Sequence, residues 1–175
     1  MKKCQRFSTL AKGSSSRVGT ASGVVFLTKQ SDVSESTKWT AKMAIKREAC
    51  DKWFSDVVRA KANWACEYCG KDFGGPSMGL HCAHVYSRSN KSTRWSLDNA
   101  VSLCAYHHDF FGKNPVTFAD WLSQYFGEGH MEILREKRNA ILKTTKELRK
   151  EVSDHYRGEY RKMLDDPDYE PESYN

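Results

Sequence analysis

Residues 66–69 read Cys-Glu-Tyr-Cys, and residues 104–108 read Cys-Ala-Tyr-His-His. Each stretch carries a pair of metal-ligating residues with two residues between them, and residues 70–103 separate the pairs. A structural zinc ion takes four tetrahedral nitrogen and sulfur ligands, and a C-x-x-C or C-x-x-H turn delivers two of them from one tight loop or helix start. The spacing therefore predicts a zinc site built from Cys66, Cys69, Cys104 and His107. The competing explanation is four unrelated thiols and imidazoles, and two correctly spaced pairs rarely arise by accident.

Working outward, residues 70–79 hold Gly70, Gly74, Gly75, Pro76 and Gly79, a turn-rich segment suited to join a metal knuckle to a strand. The run Leu80-His81-Cys82-Ala83-His84-Val85-Tyr86 is strand-like, and so is Ala100-Val101-Ser102-Leu103. Together they predict a hairpin of residues 78–86 paired with a strand near 100–103. The loop between is basic and polar, with Arg88, Lys91 and Arg94 beside one aromatic, Trp95. These three cations are candidates to hold phosphate, against the alternative of solvated loop charge. Asn99 lies just before the second strand, and His108 stands at the start of the next predicted helix.

Read in order, His84, Asn99 and His108 bring the chain to a family. The stretch resembles the HNH (ββα-metal) nucleases. More narrowly, Cys-Ala-His-Val-Tyr-Ser-Arg-Ser, Thr-Arg-Trp-Ser-Leu-Asp-Asn-Ala and Leu-Cys-Ala-Tyr-His-His are similar to phage recombination endonucleases of the lambda NinG (Rap) type. The likeness runs from about Arg47 to about Leu164; the core motif is specific and the flanks match in pattern only. It implies an α+β fold, a small zinc-stabilised ββα-metal core with flanking α-helices. It also implies metal-dependent hydrolysis of DNA phosphodiesters, with branched recombination intermediates as substrate on the strength of the resemblance alone. His84 would be the general base, Asn99 would hold the hairpin, and His108 would bind a catalytic Mg²⁺ or Mn²⁺. Most such nucleases place an Asp or His directly before the base, where this chain has Ala83. The missing ligand then falls to His81, Cys82 or Asp109, or to His84 itself. The rival reading is a zinc-stabilised DNA-binding or packaging accessory module without catalysis.

The remainder of the chain fits this plan. Net charge is +6 and the sequence pI is about 9.0, which suits an anionic partner such as DNA, although many basic domains bind nothing acidic. Residues 1–40 are rich in Ser, Thr, Lys and Gly. They read as a basic arm, with Gly23-Val24-Val25-Phe26-Leu27 a short candidate strand, and such an arm either follows a phosphate backbone or is simply solvated. Residues 41–115 comprise a leading helix over 41–62 and the zinc-bound core. In that helix Cys50, Trp53, Phe54, Val57 and Val58 share one face, which makes Cys50 a core residue. Residues 116–164 form a helical extension with helices near 117–126, 130–143 and 145–164, whose aromatic stripes pack against the core. Its Arg135, Lys137, Arg138, Lys143, Lys146, Arg149 and Lys150 form either a second DNA surface or a solvated face. Residues 165–175 are an acidic tail expected to be disordered. No signal-peptide pattern or membrane-length apolar run is present, so six cysteines read as belonging to a reducing cytoplasm, that of a phage-infected or prophage-bearing bacterium if the resemblance holds. The oligomeric state is left open, a dimer included.

Overall fold

The computed structural model describes residues 46–174, and the arm over residues 1–40 lies outside them. Among the described residues the fold is α+β, with five helices and one two-stranded antiparallel sheet. Helix α1 spans Ala49–Lys61 and strand β1 Leu80–His84. A 3-10 turn, Leu97–Asn99, leads into β2, Ala100–Cys104. Helices α2 (Ala105–Lys113), α3 (Pro115–Phe126), α4 (Glu128–Asn139) and α5 (Lys146–Asp165) follow.

Helix α1 begins where its side chains can satisfy its own backbone. Asp51 accepts from the Glu48 N–H at 2.9 Å, while the Glu48 side chain accepts from the third helical N–H. This reciprocal cap ends the helix at residue 49. Of the expected span 41–62, residues 46–48 are therefore not helical. Helix α3 starts with proline at its first position and stops at Gly127, whose φ is +84°. At α5 the Thr145 hydroxyl oxygen accepts from Leu148 N–H at 3.1 Å.

β1 and β2 pair with Leu80 opposite Cys104, Cys82 opposite Ser102 and His84 opposite Ala100. The expected hairpin is thus present, with strands slightly shorter on the first arm. Two apolar clusters lie on its two sides. On one, α1 and α5 bury Cys50, Phe54, Val57, Val58, Val152 and Tyr156 with Trp95 and Ala100. On the other, Cys66, Leu80, Ala83, Val101, Leu103 and Cys104 pack with Phe111 of α2 and Leu122 of α3. Each fully buried aliphatic or aromatic side chain contributes roughly 1.5–3 kcal/mol. Of the expected aromatic stripes, Tyr156 of α5 is core, Phe118, Trp121 and Phe126 of α3 and Tyr160 of α5 pack partly buried against the clusters, and Tyr125 is exposed.

The acidic segment does not hang free. Glu159, only 3% exposed, accepts from the Glu172 N–H at 2.7 Å, the Tyr169 hydroxyl at 3.0 Å and Lys162 Nζ at 2.8 Å. Ser173 Oγ accepts from Leu97 N–H at 3.1 Å, and Tyr174 N–H donates to the Tyr156 hydroxyl at 3.1 Å. The expected disorder of residues 165–174 is corrected: a buried carboxylate gathers the segment against α5.

Candidate functional site

The four predicted zinc ligands meet. One ligand atom each from Cys66, Cys69, Cys104 and His107 lies within 4.8 Å of all the others. Bond lengths near 2.1–2.3 Å would set the edges of a zinc tetrahedron at about 3.7 Å, so a small contraction suffices. His107 Nδ1 already stands 3.1 Å from Cys104 Sγ and 3.8 Å from Cys66 Sγ. The residues fit a metal ion such as zinc.

The knuckle is shaped by its backbone. Cys66 N–H donates to Lys71 O at 2.9 Å and Gly70 N–H to Cys66 O at 2.7 Å, which closes a turn requiring φ of +68° at Gly70. Burial opposes ionisation of Cys66, but N–H groups of Cys104, Cys69 and Tyr68 aimed at its sulfur outweigh this and hold the thiol below its ordinary value. At Gly79 a Cβ would lie 2.9 Å from the Phe73 ring, so any larger residue here would require that ring to shift. Tyr68 stands edge-on to His107, Phe111 and Trp121, with ring centroids 4.7, 5.0 and 5.4 Å away. Helices α2 and α3 are thereby packed against the knuckle.

A second centre lies in a cleft of about 1050 Å³ between α1, β1 and α2. His81, Cys82, His84 and His108 line it, together with Arg47, Arg59 and Arg88. His84 Nε2 donates to the Arg94 carbonyl at 3.1 Å, which leaves Nδ1 as the lone-pair nitrogen. Burial pushes its imidazole down to about 4, against the raising effect of that carbonyl, so it is neutral at pH 7. His108 is also held below its usual value, by burial and then by His81.

Asn99 is fully buried and holds both ends of the basic loop. Its Oδ1 accepts from Tyr86 N–H at 2.7 Å; its Nδ2 donates to Tyr86 O at 3.0 Å and Thr93 O at 2.9 Å. The carbonyl that orients His84 belongs to the next residue, Arg94. Asn99 thus aims His84 through the loop backbone.

The three basic loop residues separate. Arg88 lines the cleft beside His84. Lys91 is exposed on a different groove, with Trp95 and Leu148. Arg94 requires correction as a phosphate contact. It is 7% exposed, and its Nε and Nη2 donate to Asp51 at 2.9 and 2.7 Å. Trp95 Nε1 donates to the same carboxylate at 2.9 Å. Burial alone would raise the Asp51 carboxyl, yet the Arg94, Glu48 and Trp95 donors hold it below the usual range. Arg94 therefore ties the loop to α1 and has no face left for DNA.

The candidate extra ligands separate as well. Cys82 turns toward α1 and Ser55, where burial pushes its thiol up to about 12. Asp109 pairs with Lys113 at 2.6 Å on the exposed side of α2. His81 stands against His108, ring centroids 4.9 Å apart at 72°. Along the extension, Arg135, Lys137, Arg149 and Lys150 pair with Glu132, Asp98, Glu48 and Asp154, which neutralises much of the supposed second surface.

Sequence reasoning missed Arg59. Its Nη1 donates to Leu80 O at 3.1 Å, its Nε to Ser55 O at 3.1 Å and its Nη2 to Asp56. It fastens α1 to the start of β1 and forms part of the cleft wall. Its place in the last turn of a helix gave no signal, because the partner carbonyl lies 21 residues away.

Comparison with known protein families, curated proteins and solved structures finds no match for this chain. Among the described residues, no helix is long and apolar enough to cross a membrane.

Proposed function

We propose that this chain is a metal-dependent DNA endonuclease of the HNH (ββα-metal) type, acting on phosphodiester bonds. One observation carries the reading. His84 and His108, which the resemblance assigns as base and metal ligand, line one cleft, while Asn99 clamps the loop that orients His84. The order strand, loop, strand, helix over residues 80–113 supports it too.

The chemistry follows from the residues. His84 presents Nδ1 to accept a proton from an attacking water, and Nε2–H on the Arg94 carbonyl fixes that tautomer. Arg88 offers the phosphate a cation beside the base, in a cleft where Arg47 also stands. Asn99 and the Asp51–Arg94 pair keep the loop from drifting, so the imidazole meets the water in one orientation. His108 would hold a divalent ion, which when bound takes up negative charge on the scissile phosphate and leaving oxygen. Cys66, Cys69, Cys104 and His107 would hold zinc as a structural ion, outside the reaction. The resemblance further points to branched recombination intermediates as substrate and to the cytoplasm of a phage-infected or prophage-bearing host.

The test is single-turnover nicking of linear and branched DNA against divalent-ion concentration, with zinc content followed in parallel. His84→Ala keeps its zinc and loses about 10²–10⁴-fold in rate. His108→Ala also loses cutting and retains zinc, whereas His107→Ala releases zinc. Metal-dependent cutting absent from every preparation, with DNA binding intact, would leave the zinc-stabilised binding module as the better account.

A further inference from the structure

We propose that His81 and His108 together ligate a first-row transition-metal ion, and that the site they form selects against Mg²⁺. This rests on the reading that the cleft takes a divalent ion, and it names a ligand and an ion class that the reading leaves open.

The geometry comes first. Along β1, Cys82 packs in the cluster of α1 and His84 lies against Phe54 of α1, while Ala83 packs in the cluster of α2 and His81 lies against His108 of α2. His81 is thereby set opposite the first turn of α2, where His108 projects. With metal–nitrogen bonds near 2.1 Å, each ring centroid lies about 3.2 Å from the ion, so two imidazoles about 100° apart have centroids about 5 Å apart. The observed separation is 4.9 Å.

The hydrogen bonding agrees. His81 Nε2 donates to the Met78 carbonyl at 3.2 Å, which places the proton on Nε2 and leaves the lone pair on Nδ1. A ligating histidine with its other nitrogen on a backbone carbonyl is the arrangement that fixes tautomer and ring orientation. The His108 side chain has no hydrogen-bond partner among the described residues.

The choice of ion follows from what else the cleft offers. Its carboxylates are Glu48, Asp51 and Asp56. Glu48 pairs with Arg149 at 3.0 Å, Asp51 with Arg94 at 2.7 Å, and Asp56 with Lys52 at 2.9 Å and with Arg59. Every oxygen anion lining the cleft is committed to a cation. Mg²⁺ depends on such oxygens, whereas affinity for a nitrogen site rises from Mn²⁺ through Co²⁺ to Ni²⁺, and Zn²⁺ also takes imidazole readily. Water and a substrate phosphate oxygen would complete the coordination.

The experiment uses the full zinc-loaded chain and reads metal binding without DNA. Mn²⁺ is followed by loss of its free electron-spin-resonance signal, and Co²⁺ by visible absorption. We expect one further ion per chain, held against a large excess of Mg²⁺. His81→Ala and His108→Ala should each weaken it more than about tenfold, and His81→Asn should behave like His81→Ala. Asp109→Asn and Cys82→Ser should leave it in place. Zinc content and circular dichroism establish that each variant is folded; a His81→Ala chain that fails to fold gives way to His81→Asn for the measurement. Binding undiminished in the folded His81 variants, or displaced by equimolar Mg²⁺, would overturn the proposal. Mn²⁺ binding lost with His81 in a protein that never cuts DNA would sustain this site and sink the nuclease; Mg²⁺-dependent cutting at full rate in His81→Ala would do the reverse.

Discussion

Replacing Arg94 by alanine distinguishes a buried anchor from a DNA contact. The guanidinium supplies two of the four hydrogen bonds on Asp51, the others coming from Trp95 Nε1 and Glu48 N–H. Its removal leaves a carboxylate that is 5% exposed without a counter-charge. Breaking one side of a buried pair costs about 3–5 kcal/mol, much of it the desolvated charge left behind. Asp51→Ala should cost as much, plus about 1 kcal/mol for the lost helix cap. The double variant should fall short of the sum by about 1–3 kcal/mol, because neither charge is then stranded. Urea unfolding of the zinc-loaded protein, followed by tryptophan fluorescence, measures all three. DNA affinity by fluorescence anisotropy across a salt series runs alongside. Had Arg94 been a phosphate contact, its loss would reduce the salt slope by about one and leave stability within about 0.5 kcal/mol. That pair of results would refute the anchor.

Three further outcomes are expected. Arg88→Ala, by contrast, should weaken DNA binding and its salt dependence while leaving the urea midpoint nearly unchanged; a large loss of stability would make Arg88 structural. Asn99→Ala strands Tyr86 N–H, Tyr86 O and Thr93 O and should cost about 3 kcal/mol or more, read by thermal unfolding; a loss below about 1 kcal/mol would mean the loop is held elsewhere. The imidazole of His84 sits near 4 when folded against an ordinary 6.5, so between those values the unfolded chain binds a proton the folded chain refuses. Stability should therefore fall as pH drops through that window, by at most about 1.4 kcal/mol per pH unit from this group, and His84→Gln should remove that part of the slope.

The zinc ligands were legible because their signal is local: two residues of spacing deliver a pair whatever the rest of the chain does. The hairpin and Asn99 were legible for a similar reason, since alternation and a polar residue at a strand entry are short-range patterns. Arg94 was misread because its burial is decided by Asp51, 43 residues away on α1, and a basic loop looks alike whether its cations face in or out. The acidic tail was misread likewise. Composition recorded its charge but not Glu159, a carboxylate in α5 that accepts from the Glu172 backbone N–H 13 residues on. His81 stood in the sequence as one candidate ligand beside Cys82, Asp109 and His84 itself. The folded strand sets His81 beside His108 and packs Cys82 against α1.

The docking of α5 on α1 has a consequence for how the molecule is made. The cluster that holds the knuckle, the hairpin and α2 takes its buried members from residues 66–122, so it can close while later residues are still being synthesised. Helix α1 cannot finish then: Phe54, Val57 and Val58 await Val152 and Tyr156, roughly a hundred residues later in translation. Contacts of such long sequence separation form late because loop closure precedes their reward. One wall of the cleft is therefore the last to set. A nascent chain would close its knuckle well before the α1 side of the cleft is set, which comes only as α5 clears the ribosome.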